Sequence, residues 1–112
     1  HASLGVGVHV VKNAGIGMGC HLHHLVQVGQ NTVLGPNCFV DEAAFIDKGV
    51  VTGPGVFIGP QARIGKDVRI GEGAFIGANV ELGKSVVVWP WVCIPDGTVI
   101  PKDGVVDTSL CD

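Results

Sequence analysis

The chain has 112 residues and a formal net charge of −3, and its length fits one domain, predicted over residues 1–112. Hydrophobic residues make up 46% of it and charged residues 15%, a balance that excludes an intrinsically disordered chain. The small negative charge gives no reason to expect nucleic-acid binding, and no apolar run has the length of a membrane span. Because the chain opens at His1 inside the repeat described next, we expect either a truncated or processed start, or a missing N-terminal domain of a longer natural chain.

An aliphatic residue recurs at every sixth position through almost the whole chain. The series runs from Leu4 to Val106, and Thr52 is its one member that is not aliphatic. A small or β-branched residue usually stands two positions earlier, and strand side chains two apart point the same way. A glycine often follows the aliphatic residue, where we expect it to help the chain turn. This period is typical of hexapeptide β-helix repeats, so the sequence predicts an all-β fold.

The repeat is most regular in V-F-I-G-P-Q-A-R-I-G-K-D-V-R-I-G-E-G-A-F-I-G-A-N-V-E-L-G, residues 56–83, where a glycine follows every member of the six-residue series. This stretch resembles the hexapeptide-repeat acyltransferase superfamily. The resemblance implies a single-stranded left-handed parallel β-helix in which three hexapeptides form one triangular coil. The chain would then contain about six coils, and residues 18 apart would lie above one another at about the strand spacing of 4.8 Å.

The corner after the first face of each coil carries the candidate catalytic residues. An 18-residue coil places His23 beside Asp41 and His24 beside Glu42. A histidine next to a carboxylate has the parts of a general base, because the acid orients the ring and stabilises the imidazolium.

The next two coils carry no long side chains at the same corner. Their residues there are Gly59, Pro60, Gly77 and Ala78. We expect this smooth strip to accommodate the slender arm of a cofactor.

The segment L-H-H-L-V-Q-V-G, residues 22–29, is similar to the V-x-H-D-C-x-I-G motif of superfamily members that act on nucleotide-linked amino sugars. The resemblance implies that His24 deprotonates an amine or hydroxyl of a small, sugar-type acceptor. The acceptor then attacks the thioester of acetyl-CoA. Leu25 stands where the motif has an acid, so Glu42 would have to replace that acid.

Two other functions are compatible with the residues. The γ-class carbonic anhydrases use histidines on this fold, and His9, His21, His23, His24 and Asp41 resemble a zinc ligand cluster. Met18 stands where that family has one ligand, so the acyltransferase hypothesis, which assigns no metal, is preferred. The second alternative is a non-catalytic trimerisation module, because S-V-V-V-W-P-W-V-C-I-P-D-G-T-V-I, residues 85–100, resembles the closing repeats of sugar nucleotidyltransferases.

Apolar residues also recur on the outside of the predicted coils. Phe39, Phe57 and Phe75 are 18 residues apart and predict an outward aromatic column on the first face. A second outward column, on the third face, is also mostly apolar. Two different apolar faces suit a contact that closes a ring, and the superfamily resemblance implies a homotrimer. The alternative is that both columns are simply exposed.

The corner after the second face carries a line of basic residues. Lysine occupies it in five coils and glutamine in one, at Lys12, Gln30, Lys48, Lys66, Lys84 and Lys102. Such an edge could attract the phosphates of coenzyme A or of a nucleotide sugar. The preferred interpretation is a solvated edge that limits lateral association.

The four cysteines fall at two kinds of position in the predicted coils. Cys20 and Cys38 fall at inward positions, whereas Cys93 and Cys111 face outward, 18 residues apart. A bridge between the outward pair is geometrically conceivable, but we expect free thiols in a cytoplasmic protein. Trp89 and Trp91 flank Pro90 at a corner, where they either stack on a ligand ring or cap the apolar column.

Overall fold

The computed structural model describes residues 3–11 and 13–111. Every regular element in these residues is a strand of two residues, and each strand begins six residues after the one before. The strands are β1 (Ser3–Leu4), β2 (His9–Val10), β3 (Gly15–Ile16), β4 (His21–Leu22), β5 (Gln27–Val28), β6 (Val33–Leu34), β7 (Phe39–Val40), β8 (Phe45–Ile46), β9 (Val51–Thr52), β10 (Phe57–Ile58), β11 (Arg63–Ile64), β12 (Arg69–Ile70), β13 (Phe75–Ile76), β14 (Glu81–Leu82), β15 (Val87–Val88), β16 (Cys93–Ile94), β17 (Val99–Ile100) and β18 (Val105–Val106). The part of the chain described contains no helix that could cross a membrane.

The strands form three parallel six-stranded sheets, each built from every third strand. We call them sheet A (from β1), sheet B (from β2) and sheet C (from β3). Partners in neighbouring strands are 18 residues apart throughout, as in Phe57 with Phe75 and Ile64 with Leu82. The predicted left-handed β-helix with triangular coils is confirmed.

The repeated aliphatic residues fill the inside of the prism. Ile58, Ile64 and Ile76 are completely buried, and Ile70 is 3% exposed. Thr52, the one break in the series, is also buried, and its hydroxyl oxygen accepts a 3.1 Å hydrogen bond from the Gly35 N–H. The polar atom is therefore tolerated because it satisfies a backbone donor.

The glycine after the aliphatic residue has a different role from the one expected. The left-handed turn residue lies two positions further on, at Gly55, Gln61 and Asp67 for example, with φ between 60° and 70°. A Cβ added at Gly59 would lie 2.6 Å from the carbonyl carbon of Gly77 in the next coil. The expectation that this glycine makes the turn is wrong, since its missing side chain instead allows the coils to approach.

A short C-terminal segment crosses the free edge of sheet A. Cys93 and Cys111 form a disulfide with Cα atoms 5.6 Å apart, so the expectation of free thiols there is wrong. The 18-residue spacing places the two residues in neighbouring coils, within bonding range. Leu110 N donates to the Cys93 carbonyl at 2.8 Å, and Ser109 Oγ accepts from Cys93 N at 3.0 Å. Because disulfides are typical of oxidising compartments, the cysteines give no support to the cytoplasmic expectation.

The inward cysteines are free and buried, as predicted. Burial raises the pKa of the Cys20 thiol, which keeps it protonated. Its Sγ donates to the Gly35 carbonyl at 3.0 Å, and Cys38 Sγ donates to Gly53 in the same way at 3.2 Å. Both cysteines therefore act as small core residues and offer no nucleophile.

Candidate functional site

The candidate residues lie at the corner that joins sheet A to sheet B, which we call the histidine corner. It comprises the turn residues 23–25, 41–43, 59–61 and 77–79, which follow β4, β7, β10 and β13. The 18-residue register stacks these turns directly on one another. Ala43 N donates to the His24 carbonyl at 2.9 Å, so the predicted neighbours do lie in adjacent coils.

The ring of His24 is held by the coil that precedes it. Its Nδ1 atom accepts a 2.7 Å hydrogen bond from the backbone N–H of Val6. Gly5 makes room for the ring, because a Cβ at Gly5 would lie 2.8 Å from that nitrogen. An Nδ1 that accepts a bond from an N–H has no proton of its own, so in the neutral ring the proton is on Nε2.

His23 contacts aromatic rings on both sides. Its ring centroid lies 4.8 Å from that of His24 in an edge-on arrangement and 6.5 Å from that of Phe39. The rings of His21 and Phe39, which are partners in neighbouring strands of sheet A, have centroids 6.1 Å apart. These rings surround a shallow surface pocket of about 180 Å³, which is also lined by Leu4, Gly5 and Leu22.

The carboxylate of Asp41 is hydrogen-bonded within its own coil. The Oδ1 atom of Asp41 accepts a 2.7 Å hydrogen bond from Glu42 N, and Glu42 is exposed. Both of these side-chain hydrogen bonds, to His24 and to Asp41, are donated by a backbone N–H. Neither of them joins a histidine ring to a carboxylate, which is the pairing expected for His23 and His24. The structure brings the acids into the next coil but leaves their carboxylates free of the rings.

The smooth strip is narrower than its sequence suggests. Gly59 and Gly77 are buried between coils, and only Pro60 and Ala78 reach the surface, each half-buried. Asp96 of the following coil closes the strip, since its Oδ1 accepts from Ala78 N at 2.8 Å. A ligand arm would therefore contact the edges of Pro60 and Ala78 and not the two glycines.

A second and larger pocket lies beside the histidine corner, and sequence reasoning missed it. It has a volume of about 460 Å³ and is lined by Gln27, Ala43, Phe45, Gln61, Arg63 and Asn79. Three of these residues face outward from sheet B and three come from the corner. The signal in the sequence is the outward column of the second face, where Gln27, Phe45 and Arg63 follow one another at 18-residue spacing.

The line of lysines lies on the corner between sheets B and C, away from both pockets. Lys48, Lys84 and Lys102 are exposed, Lys66 is half-buried, and Lys12 lies outside the described residues. Asp47 Oδ1 accepts a 2.8 Å hydrogen bond from Lys48 N, so acidic side chains are interspersed with the lysines. This mixture fits the preferred interpretation of a solvated edge.

Across residues 3–11 and 13–111, no three histidine, cysteine or acidic side chains are arranged to hold a metal ion. The zinc alternative therefore gains no ligand set from the structure.

The middle of the chain matches one family model. Residues 49–84 match the family model described as bacterial transferase hexapeptide (six repeats). The resemblance to hexapeptide-repeat transferases is confirmed. No curated protein matches the chain in sequence. The matching residues, 49–84, include two of the four turns of the histidine corner, 59–61 and 77–79.

Three solved structures share the fold. PerB from Caulobacter crescentus, in complex with CoA and GDP-perosamine, superposes with a TM-score of 0.86 at 18% identity, over 94% of this chain and 52% of that one. The acetyltransferase domain of PglB from Neisseria gonorrhoeae gives 0.78 at 24% identity, over 89% and 51%. A putative acetyltransferase from Bacillus cereus gives 0.64 at 17% identity, over 93% and 76%. The chain thus spans about half the length of the first two proteins, and the likeness establishes the fold.

Proposed function

We propose that this chain is the β-helix part of an acyltransferase that moves an acetyl group from acetyl-CoA to an amine or hydroxyl of a small, sugar-type acceptor. The observation that carries the proposal is the histidine pair at the rim of a surface pocket, with one ring oriented by a backbone hydrogen bond. The fold supports it, since PerB was solved with CoA and GDP-perosamine and the PglB domain with acetyl-CoA.

The reaction needs two groups from the protein, a general base and a hydrogen-bond donor for the oxyanion. The acceptor nitrogen or oxygen attacks the thioester carbonyl and must lose a proton to a base. The carbonyl oxygen then carries negative charge until the C–S bond breaks and the thiolate leaves as CoA. A positioned base contributes roughly 10²- to 10⁴-fold, and a donor aimed at the oxyanion contributes roughly 10²- to 10³-fold.

The hydrogen bond from Val6 N–H to His24 supports assigning the two roles, base and hydrogen-bond donor, to different histidines. His24 is the base implied by the sequence motif, but its lone pair on Nδ1 is engaged by Val6 and its proton is on Nε2. In this arrangement His24 donates, so we assign it to the developing oxyanion. His23, whose ring contacts are His24 and Phe39, is then the base. Asp41 and Glu42 are proposed to orient the rings as the sequence predicted, and their carboxylates would have to turn toward the histidines to do so.

The remaining parts of the histidine corner suit the donor substrate. Pro60 and Ala78 offer a smooth edge to the pantetheine arm, with Gly59 and Gly77 behind them. The guanidinium of Arg63 can hold a phosphate group through paired hydrogen bonds, and its pocket adds the amides of Gln27, Gln61 and Asn79.

We further propose that the active form is a homotrimer. Phe39, Phe57 and Phe75 form an outward stack with ring centroids 5.3 and 4.9 Å apart, and Phe75 is still 41% exposed. On sheet C, Val51 is 40% exposed and Val105 is 60% exposed. Two different apolar faces on one prism can pair in a closed ring, which would cover both.

The proposal is tested by following thiol release from acetyl-CoA with a panel of amino sugars, alongside calorimetric binding of CoA. Acceptor-dependent release that saturates supports the acyltransferase. Light scattering on the same sample should give three times 11.5 kDa. A trimer that neither binds CoA nor releases thiol would instead establish the non-catalytic module, and a monomer would remove the assembly proposal.

A further inference from the structure

Sheet B is the face of the prism that the proposed trimer leaves free. The trimer covers the apolar columns of sheets A and C, and sheet B contributes to neither. Its outward residues include Gln27, Phe45 and Arg63, which are partners in neighbouring strands. A groove on this face therefore stays open when the copies assemble.

Two pockets meet on sheet B. The first is the pocket of about 460 Å³ described above, which contains the side-chain amides of Gln27, Gln61 and Asn79. The second has a volume of about 360 Å³ and extends toward the corner that joins sheet B to sheet C. Because Phe45 and Arg63 line both pockets, the two form one groove across the face, the sheet B groove. We call the first pocket its amide half and the second its acidic half.

The two halves of the groove differ in charge. The amide half, as the described residues form it, contains the Arg63 guanidinium and no carboxylate. Gln61 and Asn79 share a backbone conformation, with φ of 60° and 59°, so their side chains leave the turns in the same direction, about 4.8 Å apart. The acidic half contains the carboxylates of Asp47 and Glu81. A phosphate therefore fits the amide half, and a group that donates hydrogen bonds fits the acidic half.

Phe45 lies where the two halves meet. It is on the outward side of β8 and is 41% exposed. Its strand partners are Gln27 and Arg63, whereas Phe57 on sheet A lies between two other phenylalanines. The exposed ring therefore offers a face on which a flat heterocycle can stack. The groove thus presents a phosphate site, an aromatic ring and hydrogen-bond acceptors, in that order.

This order matches the adenosine phosphate end of CoA. Adenine is flat, and its exocyclic amine donates hydrogen bonds at the edge where guanine has an oxygen that accepts them. Asp47 can accept such a bond with its second carboxylate oxygen, because Oδ1 already accepts from Lys48 N at 2.8 Å. Guanine would instead place its oxygen against the carboxylate.

The groove lies within reach of the histidine corner. Ala43, in the amide half, donates from its N–H to the His24 carbonyl at 2.9 Å. Arg63 lies two coils beyond His24, roughly 10 Å along the prism at the strand spacing of about 4.8 Å. The extended pantetheine arm of CoA bridges a distance of this order along the edges of Pro60 and Ala78.

We propose that the sheet B groove binds the adenosine phosphate end of acetyl-CoA. Arg63 and the neighbouring amides hold a phosphate, the adenine packs on Phe45, and its amine donates to Asp47. The inference rests on the proposed acyl transfer and adds the class of donor to it. That donor is a thioester that carries a nucleotide, in preference to one carried by pantetheine alone or by a carrier protein.

Calorimetry with adenosine 3′,5′-bisphosphate tests the groove without any acyl transfer. The parent protein should bind this probe saturably, and adenosine without phosphate should bind about tenfold more weakly. Inosine 5′-monophosphate, in which an oxygen replaces the amine, should bind about threefold more weakly than adenosine 5′-monophosphate. No saturable binding of the bisphosphate overturns the proposal. So does tighter binding of guanosine or uridine 5′-diphosphate, which would assign the groove to the nucleotide of an acceptor.

Phe45→Val removes the ring and keeps a residue that favours a strand. It should weaken binding of the bisphosphate about tenfold, with little change in melting temperature, because the ring points outward. His9→Gln is the matched control, since His9 is outward in the same column of sheet B and lies outside the residues that line either half. Unchanged affinity in Phe45→Val would overturn the stacking role.

Acetyl-pantetheine separates failure of this inference from failure of the acyl transfer. Phe45→Val should raise the KM for acetyl-CoA about tenfold and leave kcat/KM for acetyl-pantetheine within error. If the parent protein uses both donors with equal kcat/KM, the groove inference fails and the acyl transfer stands. If neither donor reacts although the bisphosphate binds, the acyl transfer fails and the groove remains a nucleotide site.

Discussion

The inside of the prism and the histidine corner are built from the same repeats but obey different rules. Inside, one chemical type recurs in every coil, and Ile58, Ile64 and Ile76 are all fully buried. At the corner, the second turn position is His24, Glu42, Pro60 and Ala78 in successive coils. The backbone path is fixed by the inward residues, so the corner residues are free to differ. In a solenoid of this kind, stability comes from the repeated positions and chemistry from the unrepeated ones.

The largest expected effect separates these regions by stability. Ile70→Asp places an unpaired carboxylate in the buried column and should lower the free energy of unfolding by about 3–5 kcal/mol. Glu81→Gln, on the exposed side of β14 in sheet B, should change it by less than about 0.5 kcal/mol. Urea denaturation followed by circular dichroism measures both. Equal stability of the two variants would contradict an inward column packed as described.

The second prediction tests the corner by activity alone. His24→Ala should lower kcat by roughly 10²- to 10³-fold with little change in melting temperature, since the ring is exposed. His24→Gln places an amide N–H near the position of Nε2, so it should recover most of that loss if His24 donates. It should be as slow as His24→Ala if His24 is the base.

His23 provides the matching half of that comparison. Both His23→Ala and His23→Gln should lose roughly 10²- to 10⁴-fold in kcat, because neither side chain accepts a proton at neutral pH. Glu42→Gln should cost less than either, since it removes only a neighbouring charge. Full activity in every His23 variant would return the base to His24, and full activity in all variants at both positions would remove the pair from the mechanism.

The glycines of the strip give a third, smaller effect. Gly59→Ala should destabilise the fold by about 1–3 kcal/mol, because its Cβ would meet the Gly77 backbone at 2.6 Å. Gly55→Asn is the control, since Gly55 has open space around it and asparagine tolerates its φ of 70°. Thermal melts of the two variants distinguish a packing role from a ligand-contact role. If Gly59→Ala melts like the parent and only weakens CoA binding, the glycine serves the ligand.

The smallest effects concern the basic residues. Arg63→Gln should raise the KM for acetyl-CoA about tenfold if its guanidinium holds a phosphate, with kcat nearly unchanged. Lys66→Gln, on the other corner, should leave KM and stability within error, as a solvated edge requires. A rise in KM confined to Lys66→Gln would move the phosphate contact from the Arg63 pocket to the lysine edge.

Sequence predicted the positions that depend on the repeat and missed those that depend on single contacts. The inward register, the sheet partners and the outward Phe57 stack all follow from the six-residue period. The bond from Val6 to His24 does not, because it depends on where one ring lies against the backbone of the previous coil. The 18-residue register brings Cys93 and Cys111 into neighbouring coils, but the redox state of the pair depends on the compartment, which the repeat does not encode.

The uninterrupted 18-residue register also governs how the protein can change by insertion and deletion. Removing one whole coil would leave every later residue on its own face and would shorten each sheet by one strand. Removing a single hexapeptide would keep the inside aliphatic but would turn all later residues by one face. Lys84 would then stand on the histidine corner and Ala78 on the corner that joins sheet C to sheet A. Insertion or deletion of whole coils therefore keeps every surface residue on its own face. Insertion or deletion of one hexapeptide moves the later surface residues to another face and leaves the core aliphatic.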